Sequence, residues 1–347
     1  MRRQVGAYKR DAGTHELTAA PGRRPDVARS EPRSSGISRF RSTVEMDFCY
    51  QINITPEELS LPLCVGSGQV FRWRDAGEGR WLGVDGEHWF LAESIEQGWN
   101  VRSNAKEEHF RRLFSLDEDA KNDLLESGPE LKPYIEALPG LRLMKPSNAH
   151  ETLFCFLCTA NNHLTRITAM ISKLAGYGEI IANVDGEVAR RFPSLLRIAS
   201  LEESELRAQG FGYRARSIPL VARELMQHPP NWLQSLRLRP YEEAREELLR
   251  IASIGPKLAD CICLYGLHKT EATPIDTHLW QALTREYFPQ WKDQALTEKR
   301  YREAAEFLRN RFGTLAGLAH LYLYLENLKN WRSRSSRNSK RVALNEF

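Results

Sequence analysis

No stretch of this sequence approaches the roughly 18 consecutive apolar residues that a membrane-spanning helix requires, which excludes a helical membrane protein. Cysteine is scarce. Six in 347 residues are too few for a disulfide scaffold and point to a reducing compartment. No apolar segment follows Met1-Arg2-Arg3-Gln4, so no secretory signal is expected. Cys155-x-x-Cys158 lies in an apolar helical run and has no second such pair, so no zinc site is expected. A GxxxxGK[ST] phosphate loop is missing, and no internal repeat is visible. We expect no metal and no cofactor. What remains is an ordinary globular composition, 41% hydrophobic and 27% charged, with a length that suggests two domains.

Charge of one sign is also in short supply over most of the chain. The net charge is +4, but residues 1–45 hold ten Lys and Arg against five Asp and Glu, and residues 46–347 hold 39 against 40. An argument for nucleic-acid binding from total charge would describe the first 45 residues alone.

Those 45 residues are rich in Arg, Ser, Gly and Pro without an apolar period, and read as a disordered basic tail. A flexible arm, a transit peptide and a segment ahead of a true start at Met46 compete; the last is favoured, since five acidic residues do not suit a transit peptide. Residues 46–146 read as an antiparallel β-rich domain. Val70–Arg74, Arg80–Val84 and Glu87–Leu91 are strand-like, and Asp85-Gly86 predicts a type I′ hairpin turn. The part before Lys145-Pro146 is mixed and helical. From Ser147 the period becomes helical, with Leu164, Ile167, Ile171 and Leu174 on one face, and residues 147–330 are expected to be all-α. Residues 331–347 form a basic C-terminal tail. The fold class expected is α+β, sheet domain first.

The chemistry concentrates in Leu248 to Cys261. A helix ends near Ala252, Ser253-Ile254-Gly255 turns tightly, and Pro256 suits the first position of the next helix. This is a helix–hairpin–helix, whose free N–H groups, Gly255 among them, suit a DNA phosphate. The plainer reading is an αα-turn that only packs. Lys257 follows in the first turn, with Cys261 four residues on along the same face. Asp276, in Pro274-Ile275-Asp276-Thr277-His278, precedes an apolar helical run and has the ordinary role of an N-cap. If both point into one cleft, they form a nucleophile–carboxylate pair. The amine would attack C1′ of a deoxynucleotide and form a Schiff base with the opened sugar, while the carboxylate would stabilise positive charge on the ring.

At this point the sequence resembles the 8-oxoguanine DNA glycosylase/AP lyase family of the helix–hairpin–helix superfamily. Five segments in order carry the resemblance: SGQVFRWR (67–74), CTANNHLTRIT (158–168), GFGYRAR (210–216), GPKLADCICL (255–264) and PIDTHLW (274–280). The resemblance covers about Met46 to Asn330. It implies Lys257 as nucleophile and Asp276 as assisting carboxylate. The Gly68 carbonyl would accept the N7–H of 8-oxoguanine, and Cys261 would pack on the base. Asn161 would fill the gap in the duplex, Arg166 and Arg214 would bond the orphaned cytosine, Tyr213 would wedge beside it, and His278 would contact a phosphate. Each has a plainer reading: a turn glycine, a small core cysteine, a solvated arginine, a core tyrosine. The implied partner is duplex DNA holding 8-oxoguanine opposite cytosine, acted on by a monomer with no membrane contact, inside the cell (bacterial cytoplasm or eukaryotic nucleus).

Two departures from the family pattern matter. Ser253 stands where the hairpin usually has its first glycine. His320 and Tyr324 stand where the base-recognition helix normally supplies glutamine and phenylalanine. Tyr324 still suits stacking on a base. His320 is expected to make excision sensitive to pH near ~6.5, shifted by burial. No cysteine follows Cys263, so the iron–sulfur site of the endonuclease III branch is not expected. Two alternatives stay open: a glycosylase of another base specificity, and a non-catalytic DNA-binding protein that uses the hairpin for phosphates alone.

Overall fold

A computed structural model of the chain describes residues 47–328. The tails expected over 1–45 and 331–347 lie outside the described residues. Alternating apolar and polar residues place five strands in one antiparallel sheet: β1 (Phe48–Asn53), β2 (Trp73–Gly77), β3 (Arg80–Asp85), β4 (His88–Ile95) and β5 (Gly98–Ser103). The spatial order is β1-β5-β4-β3-β2, so the first strand pairs with the last, Phe48 opposite Ser103. One face buries Trp73 and Phe90, stacked at 5.9 Å. Phe110 and Phe114, carried by the helix Glu107–Leu113 and its C-cap, close over that face. Each such aromatic contributes about 1.5–3 kcal/mol of burial.

The hairpin expected at Asp85-Gly86 forms one residue out of place. Asp85 stays in the strand opposite His88, and the loop residues are Gly86 and Glu87. Gly86 has φ +61° and Glu87 has no positive φ, which is the glycine-first type II′ pattern. The reason is the Asp85 side chain, which is 5% exposed. Its Oδ1 accepts from the Ser147 N–H at 2.8 Å, and its Oδ2 meets His109 Nε2 at 2.7 Å. A carboxylate held by two half-buried partners remote in sequence keeps its residue in the strand.

The expectation of an all-α second part is corrected. β6 (Ile180–Val184) and β7 (Glu187–Arg190) form a hairpin there. Its turn is Asp185-Gly186, both at positive φ (+54° and +89°), so the type I′ geometry falls on this second Asp-Gly. The strands are short, and Ile180 and Val188 are exposed, which weakened their apolar signal. The hairpin lies on the outer face of the sheet, where Leu82, Val84 and Trp89 pack with Val184 and Ala189. Arg74–Glu187 at 2.6 Å and Arg102–Asp185 at 2.5 Å add exposed pairs worth at most about 1 kcal/mol each.

The helical part follows the predicted period elsewhere. The helix Leu164–Ala175 buries Ile167, Ile171 and Leu174. Cys155 and Cys158 are buried within and just after the helix Ala149–Leu157, and burial pushes the Cys158 thiol up to about 12. The connection at 145–148 is gripped from several sides. The Pro146 carbonyl accepts from Arg237 Nη2 at 3.2 Å and from His268 Nε2 at 2.8 Å, and the Ser147 N–H goes to Asp85. Among the described residues, no helix is long and apolar enough to cross a membrane.

The two Asp-Gly turns should respond differently to substitution. Asp85→Ala strands the Ser147 N–H and His109 and should lower unfolding free energy by about 1–3 kcal/mol. Asp185→Asn keeps a turn-tolerant residue and should stay within about 0.5 kcal/mol of the parent. Urea unfolding of both variants checks this; equal losses would contradict the Asp85 account.

Candidate active site

The site starts from the hairpin. The helix Tyr241–Leu249 ends, and the chain turns through Ser253 at φ +66°. Ser253, not Gly255, therefore takes the left-handed conformation, at a cost of about 1–2 kcal/mol. Its Oγ lies 3.2 Å from Ser217 Oγ. Gly255 is the exposed N-cap, with φ −94°, and Pro256 opens the helix Pro256–Cys261 as expected. That helix runs on into a wider turn over Ile262–Gly266, closed by an i→i+5 bond from the Leu267 N–H to the Ile262 carbonyl at 2.9 Å. Wide turns of this kind re-aim side chains. Here Tyr265 stacks on Phe156 at 5.4 Å, and Phe156 meets the edge of Phe71 at 5.7 Å.

Lys257 is half-buried on the first turn. Cys261 lies on the same helix at 2% exposure, and burial pushes its thiol up to about 11, opposed by the neighbouring lysine charge. Asp276 caps the helix Thr277–Glu286. Its Oδ1 accepts from the His278 and Leu279 N–H groups at 2.9 Å each, which leaves Oδ2 outside the cap. Asp276 and Lys257 both act electrostatically on the Cys261 thiol and on the His320 ring. Lysine, carboxylate, thiol and imidazole therefore share one neighbourhood.

His320 and Tyr324 come from the helix over 316–328. Their rings stack at 6.0 Å with an interplanar angle of 16°, as i and i+4 neighbours should. Tyr324 meets His278 edge-on at 6.2 Å. His320 is 4% exposed, and hydrogen bonding to the backbone at Gly317 and Pro274 acts on its ring. Burial pushes the imidazole down to about 4; Asp276 opposes this and Lys257 adds to it. The ring is therefore neutral near pH 7, and the pH sensitivity expected near ~6.5 moves down toward 4.

A second group gathers around the Ala160 carbonyl. It accepts from the Tyr213 hydroxyl at 3.2 Å and from Arg214 Nη2. The Arg214 guanidinium also lies 4.5 Å from the Tyr213 ring centroid. Tyr213 is 54% exposed while Arg214 is 3% exposed. Asn161, next in the chain, is exposed at φ +48°, an uncommon conformation for a side-chain-bearing residue. Exposed Arg166 donates to the Gly210 carbonyl at 3.1 Å. Asn162 is structural, bonding the Cys158 carbonyl at 3.2 Å.

The expected residues thus fall into two groups. Lys257, Cys261, Asp276, His278, His320 and Tyr324 form one, and Asn161, Arg166, Tyr213 and Arg214 form the other. Gly68, half-buried at φ +87° with open space where a Cβ would stand, joins neither by a direct bond. Phe71, three residues on, ties its loop through Phe156 to Tyr265 of the wide turn. Sequence reasoning missed Tyr265, a buried phenol on which Cys261, Tyr324 and Asp276 act electrostatically. A wide helical turn has no sequence signature that would have marked it.

No family model matches the chain. The N-glycosylase/DNA lyase OGG1 of Arabidopsis thaliana is 31% identical over 293 residues, which cover 80% of this chain and 80% of the relative. The chain belongs to the OGG1-type N-glycosylase/DNA lyase family. A second N-glycosylase/DNA lyase, from Saccharomyces cerevisiae, is 31% identical over 268 residues, covering 68% of this glycosylase and 70% of the relative. Among solved structures, the Clostridium acetobutylicum 8-oxoguanine glycosylase/lyase, bound to double-stranded DNA with cytosine opposite 8-oxoguanine, aligns with a TM-score of 0.70. It is 25% identical and covers 79% of this chain and 93% of that one.

The buried imidazole of this glycosylase has a consequence for acid stability. A ring with an ordinary value near ~6.5 that falls to about 4 on folding binds its proton later in the folded state. Its contribution is complete above ~6.5 and is lost as pH falls toward 4, about 3 kcal/mol for a shift of this size. His268, also lowered to about 4 mainly by burial, shares the window. His320→Gln should therefore lose less stability than the parent between pH 6.5 and 4. Urea unfolding across that range checks it, and parallel curves would contradict the assignment.

Proposed function

We propose that this chain is a bifunctional DNA glycosylase and AP lyase that removes 8-oxoguanine paired with cytosine in duplex DNA. The observation that carries the reading is the shared neighbourhood of Lys257, on the first turn after the hairpin, and Asp276, whose Oδ2 is not used by its cap. The neutral Lys257 amine attacks C1′. The N–C1′ bond forms, the bond from C1′ to the base breaks, and the amine gives up a proton. Asp276 stabilises the positive charge that develops on the sugar ring. Ring opening yields a Schiff base, loss of a C2′ proton follows, and the 3′ phosphate departs by β-elimination.

The same reading assigns the remaining side chains. The extruded base lies between Cys261 and Tyr324, with the Gly68 carbonyl accepting its N7–H and His320 at its Watson–Crick edge. The stacking of His320 on Tyr324, one helical turn away on the same face, supports that last role. Asn161 occupies the gap left in the duplex, Arg166 and Arg214 bond the orphaned cytosine, and Tyr213 wedges beside it. His278 and the backbone at Gly255 hold phosphates.

Incubation with duplex DNA carrying 8-oxoguanine opposite cytosine should release the base and nick the strand. Asp276→Asn keeps an N-cap of similar strength, so its melting temperature should stay near the parent's. Its excision rate should fall about 100-fold or more. Wild-type excision by that variant would reduce Asp276 to a cap.

A further inference from the structure

Asp260 is a buried charge for which the proposed chemistry has no use. It lies three residues after Lys257 on the same helix and is 0% exposed. Its Oδ1 accepts from the Tyr241 hydroxyl at 2.6 Å and from Arg245 Nε at 2.7 Å. Its Oδ2 accepts from the Tyr301 hydroxyl at 2.5 Å. The Tyr301 oxygen in turn accepts from the Ile275 N–H at 3.3 Å, and Ile275 immediately precedes Asp276. A buried ionic cluster like this rarely adds stability over apolar residues of the same volume, so its presence asks for a geometric reason.

The connectivity supplies one. Tyr241 and Arg245 belong to the helix before the hairpin, Asp260 to the helix after it, and Tyr301 to the helix Glu298–Phe312. Ile275 is 1% exposed, so no solvent competes for its N–H. The two phenols divide the work. Tyr241 ties the carboxylate back across the hairpin, and Arg309 lies 5.1 Å over its ring. Of the two, it is Tyr301 that reaches the segment carrying Asp276. The same helix also meets that segment where the Thr273 hydroxyl donates to the Ala305 carbonyl at 3.5 Å. Burial, and then the Asp260 carboxylate, push the Tyr301 hydroxyl well above its ordinary value, so it remains a donor to Asp260 at any working pH.

We infer that Asp260 and Tyr301 are positioning residues: the relay from Asp260 through the Tyr301 hydroxyl to the Ile275 N–H fixes where Asp276 stands relative to the helix of Lys257. The inference rests on the Lys257–Asp276 reading above. Neither residue touches the reacting atoms. Their effect is on the distance between a nucleophile on one element and a carboxylate on another, a quantity to which rate is steeply sensitive.

The hydroxyl pair gives a matched test with the full-length chain. Tyr301→Phe and Tyr241→Phe each remove one phenolic donor from the same carboxylate. We expect similar drops in melting temperature for both, and wild-type affinity of both for duplex DNA carrying 8-oxoguanine opposite cytosine. Under single-turnover conditions below both melting points, Tyr301→Phe should slow excision about 10-fold or more, and Tyr241→Phe less than about 2-fold. Equal slowing by the two variants, or none by Tyr301→Phe, would overturn the inference. Lys257→Ala run alongside separates the two levels. Excision by that variant sinks the underlying reading, whereas a dead Lys257→Ala with Tyr301→Phe and Tyr241→Phe alike sinks the relay alone.

Discussion

Asp276 stands at a helix start, where backbone N–H groups lack partners within the helix. One of its oxygens answers two of them, at His278 and Leu279. That constraint fixes the rotamer of the carboxylate and so the direction of the other oxygen. A side chain held this way does not need to be ordered when charge develops near it, and preorganised groups of this kind stabilise a transition state at low cost. Capping and the catalytic role proposed for Asp276 are therefore compatible in one arrangement, with one oxygen left for each.

Around this carboxylate the chain sets groups whose charge burial suppresses. The Cys261 thiol is pushed up and the His320 imidazole is pushed down, both mainly by removal from water. At neutral pH the neighbourhood of Lys257 thus holds a neutral thiol and a neutral ring. Two flat rings, His320 and Tyr324, stack at its edge, and in the wide turn of the hairpin helix Tyr265 stacks on Phe156. The second group, around the Ala160 carbonyl, combines an exposed Tyr213 with an arginine that is nearly fully buried.

Much of this was legible in the sequence because it depends on local chemistry. Pro256 after Gly255 announced a helix start, Asp276 before an apolar run announced a cap, and the spacing of Ile167, Ile171 and Leu174 announced a buried face. The failures came where distant partners decide. Asp85-Gly86 carried the stronger hairpin signal, yet Ser147 and His109, remote in sequence, held Asp85 in its strand and moved the turn. Asp185-Gly186 carried the same signal between short, half-exposed strands and was passed over. Asp260 lay inside the most informative motif without any visible role. Its three donors come from two other helices, and no spacing rule connects Asp260 to Tyr301.

The central claim is that one particular amine, on the first turn after the hairpin, becomes bonded to the sugar. It is tested most directly by reducing the reaction with borohydride, digesting the covalent protein–DNA product and locating the sugar remnant by mass spectrometry. The account predicts a single modified residue, Lys257. A remnant on another lysine or on the N-terminal amine, with Lys257 unmodified, would contradict it.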